Sequence, residues 1–443
     1  LAGGTWTTQN KVRPGVYINF KSQAQALGTL GERGVAAFPA PLPWGDPENV
    51  IVLEAAEYAD KALELIGFRA EDARIRHITA AMSHASKVLL YRLGGTGAVK
   101  AKVTVGALMA TAKWGGTRGN DLQVVVQANI DNVSAFDVKT LLDGEVLDTQ
   151  TVTTIADMAA NKFIDWSGTG ALTASAGASL IGGTDGTASG ADFSAALTAF
   201  EGKDYNVLGV PLTDSTSKQL AVAYIRRQRE DEGKKVAAVL VSYPAADNEG
   251  VTSLKNGIIT SDGLQVSPEM LLWEVAAMAA AAEVNESLTY RAIPNAVDAF
   301  PRLTNTETIA ALNNGELVIS AANGQAVIEQ DINTFKSLTP DKGKAFRKNR
   351  VVRVLDSIAN DMKRTFDNFY IGKIDNNASG RNLLKGEYIS YLDTLTGINA
   401  IQNFDSQTDL IVAAGSEADA VLIDLYIQPV DSIEKIYMNV EVK

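Results

Sequence analysis

Apolar strand-like runs alternate with amphipathic helix-like runs on both sides of a long β-rich interruption. No other feature of the 443-residue chain constrains its fold as tightly. VIVL at 50–53 leads into the helical period of LEAAEYADKALELIGF, a second helical stretch near 71–84 and the apolar run KVLLYRL at 87–93. Past the interruption come helix DFSAALTAFE, strand NVLGVPL, helix SKQLAVAYIRRQRED, strand VAAVLVSY and helix PEMLLWEVAAMAAAAEVNES. Continuous apolar strands separated by amphipathic helices predict a parallel sheet covered on both faces. The most apolar stretch, MLLWEVAAMAAAA at 270–282, contains Glu274 and is too short to span a bilayer, so it reads as a buried helix.

The interruption, about 98–185, carries VKAKVTV, DLQVVVQANI, AFDVKTLL and EVLDTQTV between Gly and Asp turns. GGTRGND at 115–121 and DGE at 143–145 read as hairpin turns, and the block as a small β domain inserted into the α/β one. GGTDGTASGAD at 182–192 reads as a flexible connector at its exit. ELVISAANGQAVIEQ at 316–330 predicts a hairpin with Asn323-Gly324 at its tip. Beyond 335, two long helices are expected at 345–371 and about 380–401, then strands at 408–414, 419–428 and 433–442. The predicted organisation is an N-terminal arm at 1–22, an α/β domain from 23–97 and 186–335, the insertion at 98–185, an α+β domain at 336–430 and a C-terminal arm strand at 431–443.

Both arms raise the same problem. Residues 1–15 read as a polar tail, and VYINF at 16–20 (Val16, Tyr17, Ile18, Phe20) is a lone short strand after the turn pair Pro14-Gly15. At the other end Ile436, Met438, Val440 and Val442 alternate with other residues at the period of a half-buried strand. An isolated strand of this length does not stabilise itself, so each needs an edge to pair with, in its own chain or a neighbour's.

Residues that do chemistry are scarce. There is no cysteine, hence no disulfide, thiolate metal site or thiol nucleophile. Of two histidines, His77 and His84, neither has the metallohydrolase spacing or stands beside a G-x-S-x-G nucleophile. The Gly-rich stretch lacks the Lys of a phosphate loop, and Asp185 and Asp192 are too few for a calcium loop. No catalytic residue, metal or cofactor is therefore expected. With 40 Lys+Arg against 52 Asp+Glu the chain is acidic, which argues against nucleic acid as a partner. The N-terminal region has no apolar signal core, so a soluble protein made without a Sec-type signal is expected. One charge feature stands out: Lys336, Lys342, Lys344, Arg347, Lys348, Arg350 and Arg353 lie within 336–355 with a single acid, Asp341. They form either a docking surface for an acidic partner, or a solvated face paired with acids of the same chain.

Four segments, in order along the chain, carry a resemblance: KVRPGVYINF at 11–20, GVAAFPAPLPWGDPENVIVL at 34–53, AKWGGTRGNDLQVVV at 112–126 and IQPVDSIEKIYMNVEV at 427–442. Together they resemble phage contractile tail sheath proteins, of the type found in Gram-positive prophages and phage-tail-like bacteriocins. The resemblance implies a structural protein, not an enzyme, whose subunits form six-membered rings stacked as a helix around an inner tube. Terminal arms reach into neighbouring subunits, and the sheath shortens to drive the tube through a bacterial envelope. It further implies a subtilisin-like α/β domain with its inserted β domain outside and the C-terminal domain against the tube. Some of Lys342, Lys344, Arg347, Lys348, Arg350 and Arg353 would then face that tube. Its partners would be copies of itself, the inner tail tube protein, and baseplate and tail terminator proteins, without direct nucleic-acid contact or membrane insertion. Assembly would take place in the bacterial cytoplasm, and the product would be a virion tail or a released phage-tail-like particle. The residues alone leave two alternatives open: an α/β hydrolase-like enzyme with His77 or His84 as base, and a monomeric binding module.

Overall fold

The structure, a computed structural model, describes residues 2–4, 15–17 and 29–442, which fall into two compact units. The larger comprises 31–360 and 429–442; the smaller comprises 361–428 with the described residues up to 30. Among the described residues there are eight α-helices: α1 (Tyr58–Ile66), α2 (Arg76–Met82), α3 (Gly190–Glu201), α4 (Ser215–Glu230), α5 (Pro268–Ala281), α6 (Asn305–Asn313), α7 (Asn349–Phe369) and α8 (Ala378–Gly397).

The expected alternation builds a seven-stranded sheet in the larger unit. Its strand order is Glu316–Leu317, Val251–Leu254, Ala237–Val241, Val207–Val210, Val35–Pro41, Lys87–Leu93, Ile51–Glu54. All neighbours are parallel except the last pair, where Ile51–Glu54 runs antiparallel to Lys87–Leu93. Successive residues of a strand face opposite ways. Ala36, Phe38 and Ala40 accordingly join one core with α1, α2 and α5, while Ala37 joins another with α3 and α4. α5 is apolar nearly all round because it is buried, and its Trp273 stacks on Phe38 with ring centroids 4.2 Å apart. Burial of each such side chain contributes about 1.5–3 kcal/mol.

The insertion folds as two facing sheets. One has the order Glu145–Val152, Phe136–Leu142, Leu122–Ala128, Ser175–Ser179; the other Ile164–Ser167, Leu108–Ala112, Lys102–Val105. Alternating apolar residues of both fill the space between. Asp143 and Gly144 both have positive φ, 53° and 83°, as the predicted two-residue hairpin turn requires. GGTRGND does not make a hairpin. The flanking strands Leu108–Ala112 and Leu122–Ala128 belong to different sheets, and a short 3₁₀ turn at Thr117–Asp121 carries the chain across.

That crossing is also where the insertion grips the α/β body. Arg92, 2 % exposed, donates to Leu42 O (2.7 Å), Gly45 O (2.9 Å) and Gly115 O (2.8 Å). Arg118 reaches back to Gly67 O at 2.7 Å, and Trp44 of the body is buried in the insertion's own core. The connector at 182–192 is packed rather than loose. A Cβ on Gly186 would lie 1.9 Å from Gly94 O, and Asp185 accepts hydrogen bonds from the Thr117 backbone and hydroxyl, each 2.8 Å.

The predicted Asn323-Gly324 hairpin is present, joining Ile319–Ala322 to Gln325–Ile328 with positive φ at both tip residues. In the smaller unit Ala2–Gly4 pairs in parallel with Gly15–Tyr17, so part of the expected tail is a strand. Of the N-terminal arm residues, Val16 and Tyr17 lie in this pair, whereas Ile18 and Phe20 lie outside the described residues. α8 is capped by Asn377, whose side chain accepts from Gly380 N, and it packs on a hairpin of Leu410–Ala414 with Val421–Leu425. Buried Tyr391 donates to Asp361 at 2.7 Å, and Arg364 closes on the same carboxylate at 3.0 Å. The division between the units falls inside α7, some 25 residues beyond the expected start of the last domain at 336.

Candidate functional site

The last described stretch of the chain has no strand partner among the described residues. From Val430 to Val442 no residue is in a helix or strand, and no backbone hydrogen bond joins 433–442 to other described residues. Ile436, Met438, Val440 and Val442 are 79 %, 75 %, 76 % and 95 % exposed, and Ile433 and Tyr437 are as open. The alternation suits one face of a pleated, half-buried strand, and no edge among the described residues pairs with it.

One side chain anchors this segment. The Glu434 carboxylate accepts from Thr289 Oγ1 (3.0 Å) and Gln330 Nε2 (2.6 Å), and pairs with Lys348 Nζ. Burial alone would raise this carboxyl, but the hydrogen bonds from Lys348, Gln330 and Thr289 outweigh it and hold it below the usual carboxylate range. The seat rests on a buried polar node. Thr289 Oγ1 also accepts from Asp331 N, and Asp331 in turn receives Leu288 N and Asn349 Nδ2 and pairs with Arg353 at 3.5 Å. Sequence reasoning missed Glu434. The available signal was its phase: it falls on the same side of the alternation as Ile436, Met438, Val440 and Val442, and a lone charge in an apolar register calls for a specific partner.

The basic run at 336–355 is largely engaged within its own chain. Lys342 pairs with Glu249 at 2.7 Å, Lys348 with Glu434, and Arg353, 7 % exposed, with Asp331. Arg353 also donates to Glu286 O at 2.5 Å. Arg347 donates to Leu312 O at 2.9 Å and Asn313 O at 3.5 Å, satisfying carbonyls of the last turn of α6. Arg350 is half-buried, and Lys344 alone of the six is exposed. The sequence left two readings open for this run, an outside acidic partner for some of the six or acids of the same chain; Glu249, Glu434 and Asp331 of the same chain engage three of them.

The histidines do not form a pair on one helix. His77 lies on α2 with its ring edge against Trp273, centroids 4.8 Å apart. Burial pulls its pKa down to about 4. His84 follows the helix and sits 3.2 Å from Glu274 of α5. Among the described residues, no three His, Asp or Glu side chains converge in a way that holds a metal ion, and no helix is long and apolar enough to cross a membrane.

Comparison with known proteins covers most of the chain. Residues 95–185 match the phage tail sheath protein beta-sandwich domain, 186–334 the phage tail sheath protein central domain, and 341–443 the phage tail sheath C-terminal domain. The phage-like element PBSX protein XkdK of Bacillus subtilis is 34 % identical, with 100 % of both chains covered. Among solved structures, the sheath tail protein from Desulfitobacterium hafniense is 51 % identical with a TM-score of 0.87, over 97 % of this chain and 100 % of that one. The sheath tail protein Lin1278 from Listeria innocua is 30 % identical with a TM-score of 0.79, over 93 % and 95 %. The helical sheath of the anti-feeding prophage in its contracted state shares the fold, with a TM-score of 0.59 at 13 % identity over 98 % and 100 %.

Proposed function

This chain belongs to the phage tail sheath family, and from that premise we propose that it works as the strand-exchanging subunit of a contractile sheath. Six copies form a ring, rings stack as a helix around an inner tube, and the stack shortens and widens to drive the tube through a bacterial envelope. The α/β body is of subtilisin-like topology, a matter of fold and not of catalysis. Baseplate and terminator proteins close the ends, and assembly takes place in the bacterial cytoplasm before the virion tail or phage-tail-like particle is released.

The observation that carries this reading is the exposed, alternating, unpaired segment 435–442. An acceptor exists in the same fold. The hairpin Leu410–Ala414/Val421–Leu425 has only two strands, so each keeps one edge without a strand partner among the described residues. Two-stranded hairpins are marginal, and a third strand from another copy supplies main-chain hydrogen bonds along one free edge. Burying four apolar side chains contributes about 6–12 kcal/mol and four or five net hydrogen bonds about 2–7 kcal/mol. Ordering eight residues costs about 8–16 kcal/mol. Gain and cost nearly cancel at one junction, so connectivity comes from repetition through a closed, stacked lattice.

Exposed Lys344, with half-buried Arg347 and Arg350, makes up the basic set proposed to meet an acidic inner tube. Exposed ion pairs of about 0–1 kcal/mol each suit a contact that is made in many copies and released during contraction. Negative-stain electron microscopy of the purified protein tests the reading: rings or tubes support it, and a single monomeric species under all assembly conditions contradicts it.

A further inference from the structure

The strand-exchange reading leaves open what fixes the point at which the C-terminal segment stops belonging to its own subunit. We propose that Glu434 is the positioning residue of this arm, the single anchor that sets where the transferable length begins. The inference rests on the strand-exchange reading and adds a residue to it.

Three features of the geometry point to this role. The seat is built without the arm: Thr289, Gln330 and Lys348 come from three separate segments of the body, and the Asp331 node that also holds Asn349 and Arg353 orders them. The polar attachment is confined to one residue: Ser432 Oγ is buried without a hydrogen-bond partner among the described residues, Ile433 is 88 % exposed, and everything from Lys435 to Val442 is exposed. The chemistry is polar and charge-assisted, which fixes direction, whereas an apolar anchor would tolerate sliding by two residues in a segment that repeats every two.

With Glu434 seated, the described residues 435–442 all belong to the donated length, a reach of about 26 Å when extended. Without it, the free tether lengthens back toward Pro429 and the arm leaves the body in no fixed direction, so the effective concentration of the strand at a neighbour's edge falls. Lys348, which a charge count would assign to an outside partner, is on this account the arm's counter-ion.

The test uses the full chain and its critical concentration for assembly, read by pelleting and microscopy, with folding followed by thermal melting. Glu434→Ala is expected to melt as the parent does and to raise the critical concentration at least tenfold, which is about 1.4 kcal/mol per junction. Glu434→Lys alone and Lys348→Glu alone are expected to behave alike, and the double exchange to recover assembly to within about threefold of the parent. Parent-like assembly of Glu434→Ala, or a large fall in its melting temperature, overturns the proposal, as does failure of the double exchange to recover. Deletion of 436–442 separates the two levels of the argument. If that deletion abolishes assembly while Glu434→Ala does not, only the anchor is wrong. If the deletion assembles normally, strand exchange by this arm is itself wrong.

Discussion

Replacing Arg118 with Ala tests whether the β insertion and the α/β body unfold as one. The Arg118 side chain is 2 % exposed and donates to Gly67 O at 2.7 Å, to Asp121 Oδ2 at 2.7 Å and to both Asp143 oxygens at 2.9 and 2.5 Å. Its guanidinium also lies 4.7 Å from the centroid of the Phe68 ring, with Arg74 4.3 Å from the same ring. Loss of one partner of a fully buried ion pair costs about 3–5 kcal/mol. Asp143 and Asp121 are 53 % and 46 % exposed and regain water, so the lower end applies, about 3 kcal/mol with the lost Gly67 bond and ring contact included. How this figure appears depends on the size of the unit that melts. At about 2.1 cal/mol/K per residue, a cooperative unit of roughly 340 residues shifts its Tm by about 4 °C, whereas a sandwich of about 90 residues melting alone shifts by about 16 °C. Trp44 buried in the sandwich core and Arg92 bridging Gly45 to Gly115 both favour the first outcome. Scanning calorimetry of the variant is expected to show one transition of the larger unit lowered by about 4 °C. A separate early transition lowered by more than 10 °C, with the remainder unmoved, refutes the cooperative melting of insertion and body.

Three further outcomes follow from local geometry. His77 has a folded pKa of about 4, below the ordinary 6.5, so the unfolded chain takes up the proton first as pH falls; stability is complete above pH 6.5 and drops by about 2–3 kcal/mol on the way to pH 4. Chemical denaturation across that window is expected to lose part of its pH slope in His77→Phe, and an unchanged slope argues against a buried neutral ring. Tyr391→Phe removes a 2.7 Å hydrogen bond to buried Asp361 and is expected to destabilise the smaller unit by about 1.5–3 kcal/mol, read as faster amide exchange along α8. Lys344→Glu with Arg350→Glu is expected to weaken co-assembly with an inner tube and to leave folding intact, whereas Lys342→Glu, which turns against Glu249, should lower stability instead.

The parts of this molecule that are local in sequence were legible there. The strand–helix alternation, the Asn323-Gly324 and Asp143-Gly144 turns and the buried character of α5 all rest on periods or φ preferences that a short window contains. What failed to show was long-range pairing. Nothing near Lys342, Lys348 or Arg353 announces Glu249, Glu434 or Asp331, and nothing near Trp44 says that it completes the core of a domain beginning 50 residues later. GGTRGND was read as a hairpin because its composition suits one, yet the glycines serve close approach: a Cβ on Gly116 would stand 2.0 Å from Pro43 O. The alternation of the C-terminal arm reads as a strand, yet the described residues 430–442 form none within this chain. Its anchor Glu434 was overlooked because one charge in an apolar phase looks like noise until its partners are seen.

The account stands most directly on where residues 435–442 lie once many copies have assembled. A helical reconstruction of the polymer by electron cryomicroscopy, at a resolution that traces main chain, decides it. The account predicts density for 436–442 as an added strand hydrogen-bonded to an edge of the Leu410–Ala414/Val421–Leu425 hairpin of another copy, with Glu434 still seated on Lys348 of its own. A segment folded back on its own subunit, or without ordered density in a well-formed tube, contradicts it.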